Sequence, residues 1–250
     1  MIKALAIEFY KTRRRKIFLV VMAMIAAQLM WALWSFSRMD ARDLEQGWIS
    51  SLFRFTLLNS LMMPVICAVV ASRICDVEHK GQTLKLLNTI IPSGRIFDVK
   101  FLCGAFYMIL AVLFQILTIL ITGYLKGFNG EAPFELFGYY LLFTTAVNLS
   151  VLLLQQVLSL LFTNQMVALT VGLTGSFFGL FSLFFPQSFQ KFVIWGYYGV
   201  LMFIGMDWDR ATRITNYYLT PIDWAGFVML MVQFLVLYII GRVIFSHREW

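Results

Sequence analysis

The 250-residue chain is 60% apolar and only 13% charged, with a mean hydropathy of +0.80. That leaves too little polar side chain to coat a soluble domain, so the composition describes an integral membrane protein. The formal charge of +7 comes from lysines and arginines that stand beside apolar runs and form no face of a soluble domain, which argues against nucleic acid as a partner.

In chain order, Met1 to Lys16 is basic and amphipathic. It is expected as a cytoplasmic interfacial helix (1–16), with Ile2, Leu5, Ala6 and Phe9 toward lipid and Lys3, Lys11 and Arg14 toward headgroups. Crossing a bilayer takes about 20 mostly apolar residues per helix. Runs of that kind occur at Ile17–Phe36, Phe55–Ala71, Phe101–Leu125, Leu136–Phe162, Val167–Phe185 and Ala225–Phe245. Long unbroken runs exclude a barrel, which needs alternating segments of about ten residues. The first run is also too long for a signal peptide. The expected fold is an all-α membrane protein of six transmembrane helices in one domain, 1–250. No span carries a charged residue in its interior, and both histidines, His79 and His247, lie in flanking segments.

Two connections stand out. Between the second and third spans lies a charged stretch, Ser72 to Lys100 (72–100). Gly81 punctuates it, Pro92-Ser93-Gly94 stops it, and Leu84, Leu87 and Ile91 recur at helical spacing, which predicts a short amphipathic helix over 82–91. Its apolar side suits either a groove on a soluble partner or the lipid surface. Before the last span, Phe192 to Met206 is apolar for fifteen residues after the break at Pro186. At that length it reads as re-entrant within an outer region 186–224, because a seventh crossing would put Arg242 and Arg248 outside, against the charge rule.

With six spans and both ends cytoplasmic, thirteen of the twenty basic residues fall inside: Lys3, Lys11, Arg13, Arg14, Arg15, Lys16, Arg73, Lys80, Lys85, Arg95, Lys100, Arg242 and Arg248. This is the orientation expected of a multi-pass plasma-membrane protein. Six of the seven tryptophans, Trp31, Trp34, Trp48, Trp195, Trp208 and Trp224, then lie toward the outer side with Tyr197, Tyr198, Tyr217 and Tyr218. They form an aromatic belt or, at Trp31, Trp34, Trp195, Tyr197 and Tyr198, a surface for amphipathic cargo.

Catalytic chemistry finds no footing in these residues. The chain has no Gly-Lys dipeptide and therefore no phosphate-binding loop for ATP hydrolysis. Gly175-Ser176 lacks a base at its depth, so packing is its better reading. Metal or haem binding in the bilayer would need paired histidines or carboxylates. Cys67, Cys75 and Cys103 show no zinc or disulfide spacing and read as small packing residues. Gly172, Gly175, Ser176 and Gly179 share one side of the fifth span and allow close helix approach, either across a dimer or within one chain. The amides Gln28, Asn59, Gln115, Asn148, Gln155 and Gln156 lie at or near membrane depth, where each needs a partner, between helices or along a cargo pathway.

The order Glu78, Gly81, Thr83, Leu86, Pro92, Ser93, Arg95 and Lys100 resembles the coupling region of type 2 ABC exporter permeases, and the layout of basic N-terminal segment, six spans and re-entrant outer segment is similar to the same family. Within it, the length and order of elements look most like permeases of lantibiotic-immunity and bacitracin-resistance transporters. The resemblance implies a non-catalytic permease in a bacterial membrane that exports a lantibiotic-like amphipathic peptide. Export of another amphiphile, or a scaffold that docks a cytosolic partner without transport, are its competitors. It also implies ATPase coupling through Glu78, Gly81, Thr83, Leu84, Leu86, Leu87, Pro92 and Arg95. A second permease, identical or related, would meet the chain at a seam carrying Gly172, Gly175, Ser176 and Gly179. No cofactor is implied on this chain: ATP and Mg would be bound by two copies of a cytosolic ABC ATPase. The partners implied are that ATPase, the second permease, membrane lipid and the peptide, with no nucleic acid.

Overall fold

The structure, a computed structural model, describes residues 2–14, 16–81, 86–87, 90–210 and 214–247. Helix α1 (Ile2–Arg14) meets α2 (Ile17–Ser37) at a sharp corner where Lys16 adopts the left-handed conformation, φ 55°. The short α3 (Ala41–Glu45) opens with a reciprocal Asp40–Asp43 cap, and α4 follows over Gly47–Gly81. Next come α5 (Ser93–Lys126), α6 (Phe134–Leu161) and α7 (Met166–Ser182). Pro92, Pro133 and Pro186 each stand immediately before a helix, where the missing N–H would have had no intrahelical partner. Gly127 closes α5 at φ 68°, a conformation that glycine adopts without penalty.

Five helices, α2, α4, α5, α6 and the last helix α10 (Trp224–His247), are long and apolar enough to cross a membrane. The fifth expected span is the exception: α7 has 17 residues, about 25 Å at 1.5 Å per residue, short of the usual crossing length. Lipid-facing stripes mark the bundle's outside. On α10, Val228, Val232, Leu235 and Ile239 are each at least 54% exposed at helical spacing.

Helix α4 is the axis of the bundle, packed against α2, α5, α6 and α7. Helix α7 runs antiparallel to it. The Cβ that Gly172 lacks would stand 2.4 Å from the Ala68 Cβ, the one Gly179 lacks would stand 3.0 Å from the Ser60 carbonyl, and Ser176 Oγ donates to the Leu61 carbonyl. At Gly175 the missing Cβ would strike the Trp195 ring at 2.2 Å. All four small residues are buried inside one chain, the second of the two arrangements expected of them. The face of α7 turned outward carries Leu173, Phe177, Phe178 and Phe181, each at least half exposed.

After α7 the chain turns back through α8 (Gln187–Gln190), a 3-10 turn at Ile194–Gly196 and α9 (Tyr197–Val200). Tyr198 OH donates to Asn148 Oδ1 at 2.7 Å, and Asn148 stands midway along α6, so the segment dips to the centre of the bundle. Its return leg forms a hairpin of β1 (Ile204–Asp209) and β2 (Ile214–Leu219), with Met206 opposite Tyr217 and Trp208 opposite Thr215. The hairpin was not expected. Its β-branched and aromatic residues suit a pleated surface, and Gln46 Oε1 anchors it by accepting the Tyr217 N–H at 2.8 Å.

A surface ion pair holds this region to α10. Lys191 Nζ lies 2.5 Å from Asp223 Oδ2, and Asp223 Oδ1 caps α10 by accepting the Gly226 N–H at 2.7 Å. The bond from Lys191, with smaller help from the cap, holds the Asp223 carboxyl below its ordinary value. A carboxylate with a depressed folded pKa stabilises the fold above its unfolded value, about pH 4, and loses that contribution as pH falls through the folded value. Thermal melts of the detergent-solubilised protein from pH 7 to 3 are therefore expected to show an acid limb that is shallower in Asp223→Asn. Superimposable limbs would rule the pair out as a contributor.

Candidate coupling site

The charged stretch 72–100 is mostly helix. Helix α4 continues ten residues past Ala71 to Gly81 and α5 begins at Ser93, so the connector between them is only 82–92. At 35 and 34 residues, about 50 Å each, both helices exceed the ~30 Å hydrocarbon core and run out past it. Thr83 and Leu84 lie outside the described residues, as do Gln82, Lys85, Asn88 and Thr89. Leu86, Leu87 and Ile90 are helical, and the Ile91 N–H donates to the Leu87 carbonyl at 2.8 Å. Leu86 and Ile90 are exposed at 64% and 72%, whereas Leu87 is half-buried against the core. Gly81, Pro92 and Arg95 are exposed.

Beneath this connector four charges meet, three of them out of water. Lys100 Nζ donates to Glu78 Oε2 at 2.5 Å, to Glu8 Oε1 at 2.7 Å and to the Ile74 carbonyl at 3.0 Å, using all three of its protons. Lys11 Nζ reaches Glu78 Oε1 at 2.9 Å and Glu8 Oε2 at 3.3 Å. Lys100 and Glu78 are each 1% exposed and Glu8 5%. Helical spacing explains the geometry: Glu8 and Lys11 share a face of α1, Ile74 and Glu78 share a face of α4, and Lys100 sits two turns inside α5. Two carboxylates and two ammonium groups cancel in charge and satisfy one another, the condition under which burying ions is tolerable.

The cluster leaves the interiors of Phe55–Ala71 and Phe101–Leu125 uncharged, as expected, and buries Glu78, one of the expected coupling residues, at 1% exposure. It also rotates α1. Lys11 turns inward, Leu5 and Phe9 pack on the core, and Ile7 and Tyr10 are exposed at 53% and 64%, as is Ala6. Phe9 meets Phe106 edge-on at 5.3 Å, and Tyr107 OH donates to Thr12 Oγ1 at 3.3 Å. The partnership of Glu8 and Lys11 escaped the sequence reading. Its signal was a single acid, one turn before a lysine, in an otherwise basic helix.

A second pair closes the same end of the bundle. Arg242 spans both oxygens of Asp98, at 3.1 Å from Nε and 3.2 Å from Nη2, and Tyr238 OH donates to Asp98 Oδ1 at 2.6 Å, tying α10 to the start of α5.

Deeper in the bundle the expected amides divide. Gln28 Nε2 donates to Asn59 Oδ1 at 2.7 Å, Gln115 Nε2 donates to Asn59 Oδ1 at 2.9 Å and Gln28 Oε1 at 3.1 Å, and Asn59 Nδ2 donates to Gln115 Oε1 at 3.2 Å and Tyr140 OH at 2.8 Å. Tyr140 OH closes the ring on Gln115 Oε1 at 2.6 Å. All four residues are at most 1% exposed, and they join α2, α4, α5 and α6. Gln155, with its amide donating to the Ala168 carbonyl and accepting from the Gly172 N–H, and Gln156, donating to the Phe97 carbonyl, bond between helices. These contacts favour interhelical structure over a lined pathway.

The outer aromatic surface is also divided. Trp31 and Trp34 are 59% and 54% exposed and meet edge-on at 6.1 Å, with the Arg38 guanidinium 4.4 Å over the Trp34 ring. Tyr197 and Tyr198 are buried at 0% and 3%, and Trp195 is half-buried over Gly175. Tyr197 and Tyr198 therefore pack into the bundle and, unlike Trp31 and Trp34, present no surface for cargo in this structure, while Trp195 is partly covered. Trp48, too, is buried, under Gly123 and Phe128.

A multi-pass helical membrane protein with an ion-locked end, a short connector next to the lock with exposed Leu86 and Ile90, and a segment packed back into the bundle at the far side is thus in view. The family model described as ABC-2 family transporter protein matches residues 4–179, from α1 to the last turn of α7, and the chain belongs to that family. It is a type 2 ABC permease, a transmembrane transport subunit of a class that implies an ATPase partner. A search of curated proteins finds no match to the chain.

Proposed function

We propose that the chain is the membrane subunit of an ATP-driven exporter that moves an amphipathic peptide, lantibiotic-like in character, for immunity or resistance in a bacterial plasma membrane. In this reading both termini are cytoplasmic and α7, extended by Leu183 to Phe185, is the fifth of six crossings. A cytosolic ATPase, in two copies, binds ATP and Mg and docks on the connector 82–92. The exposed Ile90, with Leu86, Pro92 and Arg95 near it, forms the docking side. The observation that carries the proposal is the ion lock. It fixes α1, α4 and α5 to one another directly beneath the connector, so a push on the connector moves three helices as a unit and does not dissipate in a loose loop.

A second permease, identical or related, packs on the face of α7 that bears Leu173, Phe177, Phe178 and Phe181. Cargo is met at the groove of about 250 Å³ between α2 and α4, walled by Trp31, Phe55 and Leu180, with Arg54 as its cation. Apolar walls suit the apolar face of an amphipathic peptide, and Arg54, paired with Asp43 at 3.7 Å and donating to Ser35 Oγ at 2.9 Å, stands at the groove's polar edge.

The test is affinity purification of Ile90→Asp and of Leu86→Asp from native membranes in mild detergent. Each side chain is exposed, so both variants are expected to insert at the parent level while the co-purifying ATPase falls at least about tenfold, the effect of desolvating one charge in an interface. Undiminished ATPase would place docking elsewhere. Cargo is read separately, by whether cells lose resistance to a lantibiotic or only to a small amphiphile.

A further inference from the structure

We propose a binding site for an anionic phospholipid in the groove between α1, α2 and α5, on the leaflet that faces the ion-locked end. The groove has a volume of about 400 Å³. Its floor is aromatic, from Phe9, Phe18, Phe106 and Tyr107, and its rim carries Arg13 and Lys16. Both cations are exposed, and among the described residues neither makes an ion pair. This sets them apart from Lys11, the other described lysine near the end of α1, which is spent on Glu8 and Glu78.

The backbone arranges this pair. Lys16 is the only described residue other than glycine with positive φ, at 55°, a conformation that costs a non-glycine residue strain. It drops α2 away from the end of α1, with the Lys16 N–H donating to the Arg13 carbonyl at 3.0 Å, so Lys16 and Arg13 share one corner. Phe18, 44% exposed, and Phe106, 48% exposed, continue from that corner along the apolar part of the bundle.

A phosphodiester seated between the guanidinium and the ammonium, with an acyl chain lying along the two phenyl rings, matches both halves of the groove. The charge complementarity selects an anionic headgroup, because a zwitterionic lipid offers a trimethylammonium that the same rim repels. The site would seat α1 on its leaflet by a specific lipid, in addition to the general attraction of basic segments to acidic membranes.

The experiment is native mass spectrometry of the full chain titrated with phosphatidylglycerol or phosphatidylcholine, for the parent and for Arg13→Gln/Lys16→Gly. Glycine adopts the left-handed corner more readily than lysine, so the fold is kept while the charge is lost. The parent is expected to retain phosphatidylglycerol preferentially. The double variant should lose that preference by roughly twenty-five-fold, two cations at about fivefold each, with an unchanged melting temperature in lipid-free detergent. Equal retention of the two lipids by the parent would overturn the site, and so would a double variant that keeps the preference. A Phe18→Ala variant should weaken retention of both lipids without altering the preference between them. A changed preference there would assign the selectivity to something other than the cationic rim.

Discussion

Replacing Lys100 with methionine is expected to be the most damaging single change in the protein. The stem of the side chain would still fill its space, but Glu8 and Glu78 would face each other with only the half-exposed Lys11 to answer them. Removing one partner from a buried ion set costs about 3–5 kcal/mol, a large share of the 5–15 kcal/mol that keeps a typical domain folded. The measurement is the yield and melting temperature of the solubilised variant, beside the combined Glu8→Gln/Glu78→Gln/Lys100→Met change. In the combined variant the one charge left is Lys11, whose side chain is 27% exposed and can turn to water, and replacing a buried set by neutral groups is often close to neutral. The single change should therefore fail and the triple should largely recover. If the two behaved alike, the four charges would not act as one unit. Glu78 alone is for the same reason a poor probe of ATPase docking, since its removal disturbs the base of the connector.

The second large effect is expected at Gln115. Its amide donates to Asn59 and Gln28 and accepts from Asn59 and Tyr140, so Gln115→Leu would strand partners on three other helices at once. An unsatisfied buried polar group costs about 1–3 kcal/mol, and membrane-embedded bonds average nearer the lower figure because alternative partners exist there. A loss of about 2–4 kcal/mol for the set is expected, read as a fall in melting temperature or in resistance to denaturing detergent. Gln115→Glu keeps the shape but introduces an ionisable group, and it should be less damaging at low pH than at neutral pH. A Leu variant as stable as the parent would show that the ring of amides adds nothing to the bundle.

These two sites differ in how far they could be seen beforehand. The amides were visible as isolated polar residues inside apolar runs, because hydrocarbon offers no alternative partner and each must be bonded to protein. What remained hidden was their grouping, which depends on the rotation of four helices about their axes. Glu8 and Lys11 were concealed by amphipathic periodicity. The same pattern that places a basic helix on lipid also permits it to dock on α5, and the contacts of Phe9 with Phe106 and of Glu8 with Lys100 pick the second arrangement. The stripe from Gly172 to Gly179 announced close helix approach without saying whose backbone approaches. The answer, α4 more than 100 residues earlier and Trp195 20 residues after Gly175, both of the same chain, is a matter of tertiary packing.

By itself the sequence determined the environment, the helical class, the places where long apolar runs begin and end, and the family resemblance, because hydrocarbon thickness and the need to satisfy every backbone group act locally along the chain. The tertiary structure alone decided the burial of Lys100 with Glu8 and Glu78, the inward turn of α1, the hairpin at 204–219 and the burial of Tyr197 and Tyr198. Each of those depends on which faces of distant helices meet, and helical periodicity specifies a face without specifying its partner.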